Sequence, residues 1–95
     1  MTAPIETARL RITGQVQGVG YRFWMTRTAA SLGLRGWVRN RTDGSVEALV
    51  TGTPEAVAAM VEVSRKGPRG AHVVAVVVTP DADDGSVGFV SRPTE

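Results

Sequence analysis

The chain contains no cysteine and a single histidine, His72. The first absence excludes disulfides, thiolate nucleophiles and cysteine-ligated metals. The second argues against a histidine-built zinc site and against a Ser-His-Asp triad. Lysine is scarce too: Lys66 stands alone among eleven basic residues, the other ten being arginine. The five aromatic residues are Tyr21, Phe23, Trp24, Trp37 and Phe89. No apolar run approaches the ~20 residues that a membrane-spanning helix needs. The opening Met1-Thr2-Ala3-Pro4-Ile5-Glu6 has neither the basic nor the apolar segment of a signal peptide. A cytoplasmic protein without membrane contact is expected.

What is present fits one domain. The chain has 95 residues, 42% of them hydrophobic, which is enough for one core and little more. A single domain over residues 1–95 is expected, with short flexible ends at about 1–5 and 93–95. The formal charge is only +2, although the pI is near 9.9. Few groups titrate between neutrality and pH 10, so the small surplus persists to high pH. That is a weak footprint for nucleic acid.

Hydrophobic periodicity divides the chain into six main segments. Ala8, Leu10 and Ile12 alternate with Arg9, Arg11 and Thr13, the pattern of a half-buried strand. Met25, Ala29 and Leu32 fall on one face of a helix over 23–32, with Gly33 as its C-cap. Residues 34–40 and 45–50 read as strands joined by the turn Thr42-Asp43-Gly44. Thr53-Pro54-Glu55 combines an N-cap, a first-turn proline and a first-turn acid. Val57, Met60, Val61 and Ser64 form the inner stripe of that second helix, which Gly67-Pro68 ends. The β-branched run Val73 to Val78 suits a central strand. An acidic loop with Asp81, Asp83 and Asp84 then reads as solvated, its spacing missing that of a calcium loop. Residues 87–91 make a short last strand. The order βαββαβ, with a short fifth strand possible near the end, predicts an α+β ferredoxin-like split βαβ sandwich. In it, an antiparallel sheet carries two helices on one face.

The most informative stretch is Gly14-Gln15-Val16-Gln17-Gly18-Val19-Gly20-Tyr21-Arg22. It joins the first strand to the first helix and places an arginine at the helix start. Unpaired amides, the helix dipole and a guanidinium fork together suit an anion such as phosphate. No Gly-Lys-Ser/Thr follows, so this is not a P-loop. Phe23 stands where a dinucleotide fingerprint needs its third glycine. Taken singly, these residues admit plainer readings: loop geometry for the glycines, a solvated helix residue for Arg22, a turn former for Asn40, packing for Trp37 and a surface or structural role for His72.

Together with Gly36-Trp37-Val38-Arg39-Asn40 and the following Asp43-Gly44-Ser45-Val46-Glu47, this stretch resembles the small acylphosphatase family. Ala29-x-x-Leu32-Gly33-Leu34 and Gly67-Pro68 also match, so the resemblance covers essentially the whole chain. It implies hydrolysis of acyl phosphates to carboxylate and inorganic phosphate, with no metal, no cofactor and no covalent phosphoenzyme. It assigns phosphate binding to Arg22 and to the loop Gln15, Val16, Gln17, Gly18, Val19 and Gly20. It assigns positioning of the attacking water to Asn40. Phosphate or sulfate is the expected product or analogue, and a monomer the expected state. Many members carry threonine after the asparagine; here Arg41 adds a guanidinium that either raises anion affinity or faces solvent. Two other readings compete. A non-catalytic ferredoxin-like module for phosphate or RNA would need base-stacking aromatics on the sheet. The acylphosphatase-like domain that opens larger carbamoyl-transfer maturation proteins would need zinc-finger cysteines.

Overall fold

Alternating apolar residues give the sheet two unlike faces, and the helices pack on only one of them. The structure is a computed structural model and describes residues 4–95. Its elements are β1 (Glu6–Gln15), α1 (Tyr21–Ser31), β2 (Arg35–Asn40), β3 (Val46–Gly52), α2 (Pro54–Ser64), β4 (His72–Pro80) and β5 (Phe89–Ser91). The strands form one sheet in the order β4-β1-β3-β2-β5. This is the ferredoxin-like α+β arrangement, with the fifth strand present. The expected flexible N-terminal end lies partly outside the described residues.

The sheet is mixed rather than purely antiparallel. β1, β2, β3 and β4 pair antiparallel, but β5 lies parallel to β2, Gly36 opposite Phe89 and Val38 opposite Ser91. The reason is the crossing of the chain from β4 on one edge to β5 on the other. The valine-rich β4 is also an edge strand, paired only with β1, where the sequence suggested a central one. Val74 and Val77 are consequently exposed. Residues 93–95 run beside β2: the Arg92 amide donates to Val38 O and the Glu95 amide to Asn40 O.

On the inner face Leu10, Ile12, Val38, Val46, Val50 and Val76 bury against Met25 and Ala29 of α1 and Val57 and Met60 of α2. Thr53 Oγ1 accepts from the Ala56 amide and caps α2, as its sequence predicts. Gly33, with φ of 72°, closes α1, and the Leu34 amide returns to Ala29 O.

The outer face is covered by charge rather than by helices. Glu47 on β3 accepts from Arg9, Arg39 and Arg41. The loop 81–86 crosses this face and is tied down along its length. Asp81 pairs with Arg9, Asp83 with Arg35, and Asp84 with Arg92 and the Trp37 indole N–H. The acidic loop is thus an ion-paired strap, not the merely solvated segment expected. Trp37 and Leu49 are buried beneath it, and the Arg39 and Arg92 guanidiniums lie 4.8 and 5.0 Å from the Trp37 ring centre.

Burial pushes the Glu47 carboxyl up, but hydrogen bonds from Arg39 and Arg9 outweigh it and hold the group below its ordinary value. Arg35 and the Gly85 amide hold Asp83 down at about 2. Carboxyls depressed in the folded state bind fewer protons there than in the unfolded chain. Their stabilisation is present above the ordinary carboxylate range and is lost as pH falls through the folded values. Urea unfolding should therefore show a stability that drops steeply below about pH 4. Glu47→Gln should cost about 1–2 kcal/mol near neutrality and make that drop shallower. An unchanged acid slope in the variant would remove Glu47 from this account.

Candidate active site

The loop 16–20 leaves β1 just beyond a register shift at Thr13/Gly14 and enters α1 without a side-chain cap. Val16 and Tyr21 are both buried, so apolar packing fixes the loop at each end. The Tyr21 hydroxyl donates to Ser64 O at 2.7 Å, and its ring meets Trp24 edge to face at 5.2 Å. Burial pushes the Tyr21 phenol up to about 12. It stays a neutral anchor at ordinary pH.

Between those anchors the backbone turns outward. Gly18 and Gly20 have φ of 75° and 80°, and a Cβ built on either would meet nothing within 4 Å. Glycine is needed here for conformation, not for room. Gly20 is the N-cap of α1 and makes no side-chain cap bond, and the first turn holds no acid. Among the described residues the first amides of the helix thus have no side-chain acceptor, the arrangement that favours an anion. Arg22 follows in that same first turn. Among the described residues it forms no salt bridge, whereas the outer-face arginines are paired. Its backbone carbonyl accepts from Thr26 Oγ1 at 2.8 Å.

Asn40 ends β2 and pairs with Val46 in β3. Its side chain is half-buried and makes no hydrogen bond to the described residues, which leaves both amide groups open to a ligand or water. Arg22 and Asn40 share one cleft of about 470 Å³ with Val16, Gly18 and Gly20. No carboxylate lines it, and no group of three or more His, Asp or Glu among the described residues could hold a metal. The cleft offers amide donors, a guanidinium without a salt bridge among the described residues and a carboxamide, a set whose chemistry suits a tetrahedral anion and a water.

The other expected loop residues contribute differently. Gln15 is still in β1, opposite His72. Val19 packs against the core, and the Gln17 side chain turns toward the β2–β3 connection. Arg41 pairs with Glu47 rather than lining the cleft. Sequence reasoning missed Thr26, Arg27 and Ser91 in the wall. The first two were findable, since they stand one helical turn beyond Arg22 and Phe23. Ser91 arrives only through the pairing of β5 with β2.

A model of the acylphosphatase family matches residues 8–91. The chain belongs to the acylphosphatase family. It is similar to an acylphosphatase of Rhodospirillum rubrum, 50% identical over 95% of this chain and 99% of that one. Its fold superposes on an acylphosphatase from Bacillus subtilis with a TM-score of 0.88 at 33% identity, covering 94% of this chain and 99% of the other. An acylphosphatase from Coxiella burnetii gives a TM-score of 0.89 at 28% identity, over 93% of each chain. As an acylphosphatase-family protein the chain is a hydrolase.

The left-handed backbone at Gly20 provides a test of the anion cradle. Gly20→Ala should cost about 1–2 kcal/mol of stability, the penalty for that conformation in a residue with a Cβ. If the cradle holds phosphate, saturating inorganic phosphate should raise the melting temperature of the native protein, and Gly20→Ala should lose most of that rise. Undiminished protection would place the phosphate elsewhere.

Proposed function

We propose that this acylphosphatase-family chain hydrolyses the carboxyl–phosphate bond of acyl phosphates in the cleft between the 16–20 loop, α1 and the end of β2. The observation that carries this reading is the joint presence of two uncommitted groups on one wall. These are Arg22, at an uncapped helix start, and Asn40; among the described residues the first has no salt bridge and the side chain of the second no hydrogen-bond partner.

The phosphoryl oxygens sit against the loop amides between Gln15 and Gly20, and Arg22 adds two parallel charge-assisted bonds. This neutralises the charge that spreads over the equatorial oxygens during transfer. The Asn40 side chain orients a water in line with the bond to be broken. Its carboxamide is too weak a base to take the proton, which passes to a phosphoryl oxygen. As the new P–O bond forms, the bond to the acyl oxygen breaks and its electron pair leaves with the carboxylate. That group has a pKa of about 4–5 and departs without being protonated. The products are a carboxylate and inorganic phosphate, and positioning with charge stabilisation supplies the catalysis.

The outer face of the sheet favours this reading over an RNA-binding module. The strap 81–86 covers it, Trp37 is buried there, and its arginines are paired with carboxylates. Work in the cytoplasm is consistent with a chain without cysteine in which no described helix is long and apolar enough to cross a membrane.

Benzoyl phosphate hydrolysis tests the proposal directly. Turnover should persist in the presence of a chelator, and inorganic phosphate or sulfate should inhibit competitively. Arg22→Ala and Asn40→Ala should each lose at least about a hundredfold in rate, the scale for removing a preorganised donor. Full activity in either variant would overturn the assignment.

A further inference from the structure

We infer that Gln17 is the positioning residue that sets the spacing between the two halves of the site. The inference rests on the hydrolytic reading above and adds a role that the loop's own amides do not supply. Gln17 Nε2 donates to Arg41 O at 2.8 Å and to Ser45 O at 2.9 Å. Both partners are carbonyls, so the orientation of the amide is unambiguous and both of its protons are used. Only its carbonyl oxygen is left over. With both protons used, the Gln17 side chain has no donor to offer the unprotonated oxygens of a phosphoryl group.

The two carbonyls flank the register pair that carries the water-positioning residue. Arg41 follows Asn40, and Ser45 precedes Val46, the partner of Asn40. The turn between them closes without help. The Arg41 amide donates to Ser45 O at 2.8 Å, and the Gly44 amide to Arg41 O at 3.1 Å. Asp43 Oδ1 also accepts from the Ser45 amide at 2.9 Å. Each carbonyl has two lone pairs; the turn uses one and Gln17 the other. The loop is likewise fixed without this contact, through buried Val16 and Tyr21. Gln17 therefore joins two units that are already formed. What it controls is their separation, and with it the distance from the Asn40 water to the phosphoryl group. In-line attack needs the reacting atoms about 3–3.5 Å apart, and a misplacement of about 1 Å costs on the order of a hundredfold in rate.

Gln17→Met keeps the length of the side chain and removes both donors. It should lower kcat for benzoyl phosphate at least about tenfold. KM and the inhibition constant for inorganic phosphate should stay within about twofold, because the cradle and Arg22 are untouched. The decisive measurement is a double-mutant cycle. In an Asn40→Ala background the same substitution should cost no more than about a further twofold, since the residue it positions is gone. Equal losses in both backgrounds would overturn the role, as would a phosphate inhibition constant that rises in step with the fall in kcat. If Gln17→Met does not fold, Gln17→Asn, which keeps the amide but is one methylene shorter, is read through the same cycle against the same limits. Full activity of Asn40→Ala alone would instead refute the hydrolytic site, an outcome distinct from additivity.

Discussion

At the first turn of α1 the backbone presents amides that no side chain among the described residues accepts from. The contrast with α2 is instructive, because there the same chain supplies Thr53 as cap, Pro54 in the first turn and Glu55 beside the dipole. An open helix start is therefore a local property of the glycine loop and not a general weakness of this sequence. It leaves peptide groups unsatisfied unless water or a ligand meets them. The packing around it keeps it both open and rigid. Val16 and Tyr21 are sunk in the core on either side, Tyr21 reaches across to the end of α2, and Thr26 holds the carbonyl of Arg22. Rigidity of that kind lets donors act on developing charge without reorganising first.

The distribution of arginine follows from the same division of labour. On the outer face guanidiniums are neutralised by Glu47 and by the three aspartates of the strap. On the side of the cleft Arg22 and Arg27 have no carboxylate partner among the described residues. A chain with a formal charge of only +2 thereby keeps two guanidiniums without salt bridges, Arg22 and Arg27, in the wall of this cleft. Net charge alone would not reveal this, since it averages paired and unpaired groups alike.

Local signals made much of this legible before any coordinates. The alternation in β1, the Thr53-Pro54-Glu55 start of α2 and the Thr42-Asp43-Gly44 turn all depend on neighbours in sequence. What escaped depends on neighbours in space. The valines of β4 announce a strand but cannot announce how many strands flank it; connectivity put them on an edge. Asp81, Asp83 and Asp84 looked solvated because their arginine partners lie on β1, on β2 and beyond β5. Arg22 and Asn40 were nominated by their motifs. That they line one cleft follows from the sheet order, which sets β1 and β2 on either side of β3. Nothing in the composition of Gly14 to Arg22 distinguishes Gln15 from Gln17, yet one stays in a strand and the other bridges to a turn.

The position of β1 has a consequence for how the molecule is made. It is the first strand in sequence, but its partners in the sheet are β3 and β4. Its edges therefore stay unpaired until Val46 to Gly52, and then His72 to Pro80, have been added to the chain. The connection to β5 must also traverse the finished sheet before the strap can close. Such long-range pairings make loop closure the slow part of folding. The glycine loop is made before β3 and β4 but gains a fixed shape only when those distant strands arrive. Until then its peptide groups are hydrated like those of any unfolded segment, and the open helix start takes shape only with the sheet that supports it.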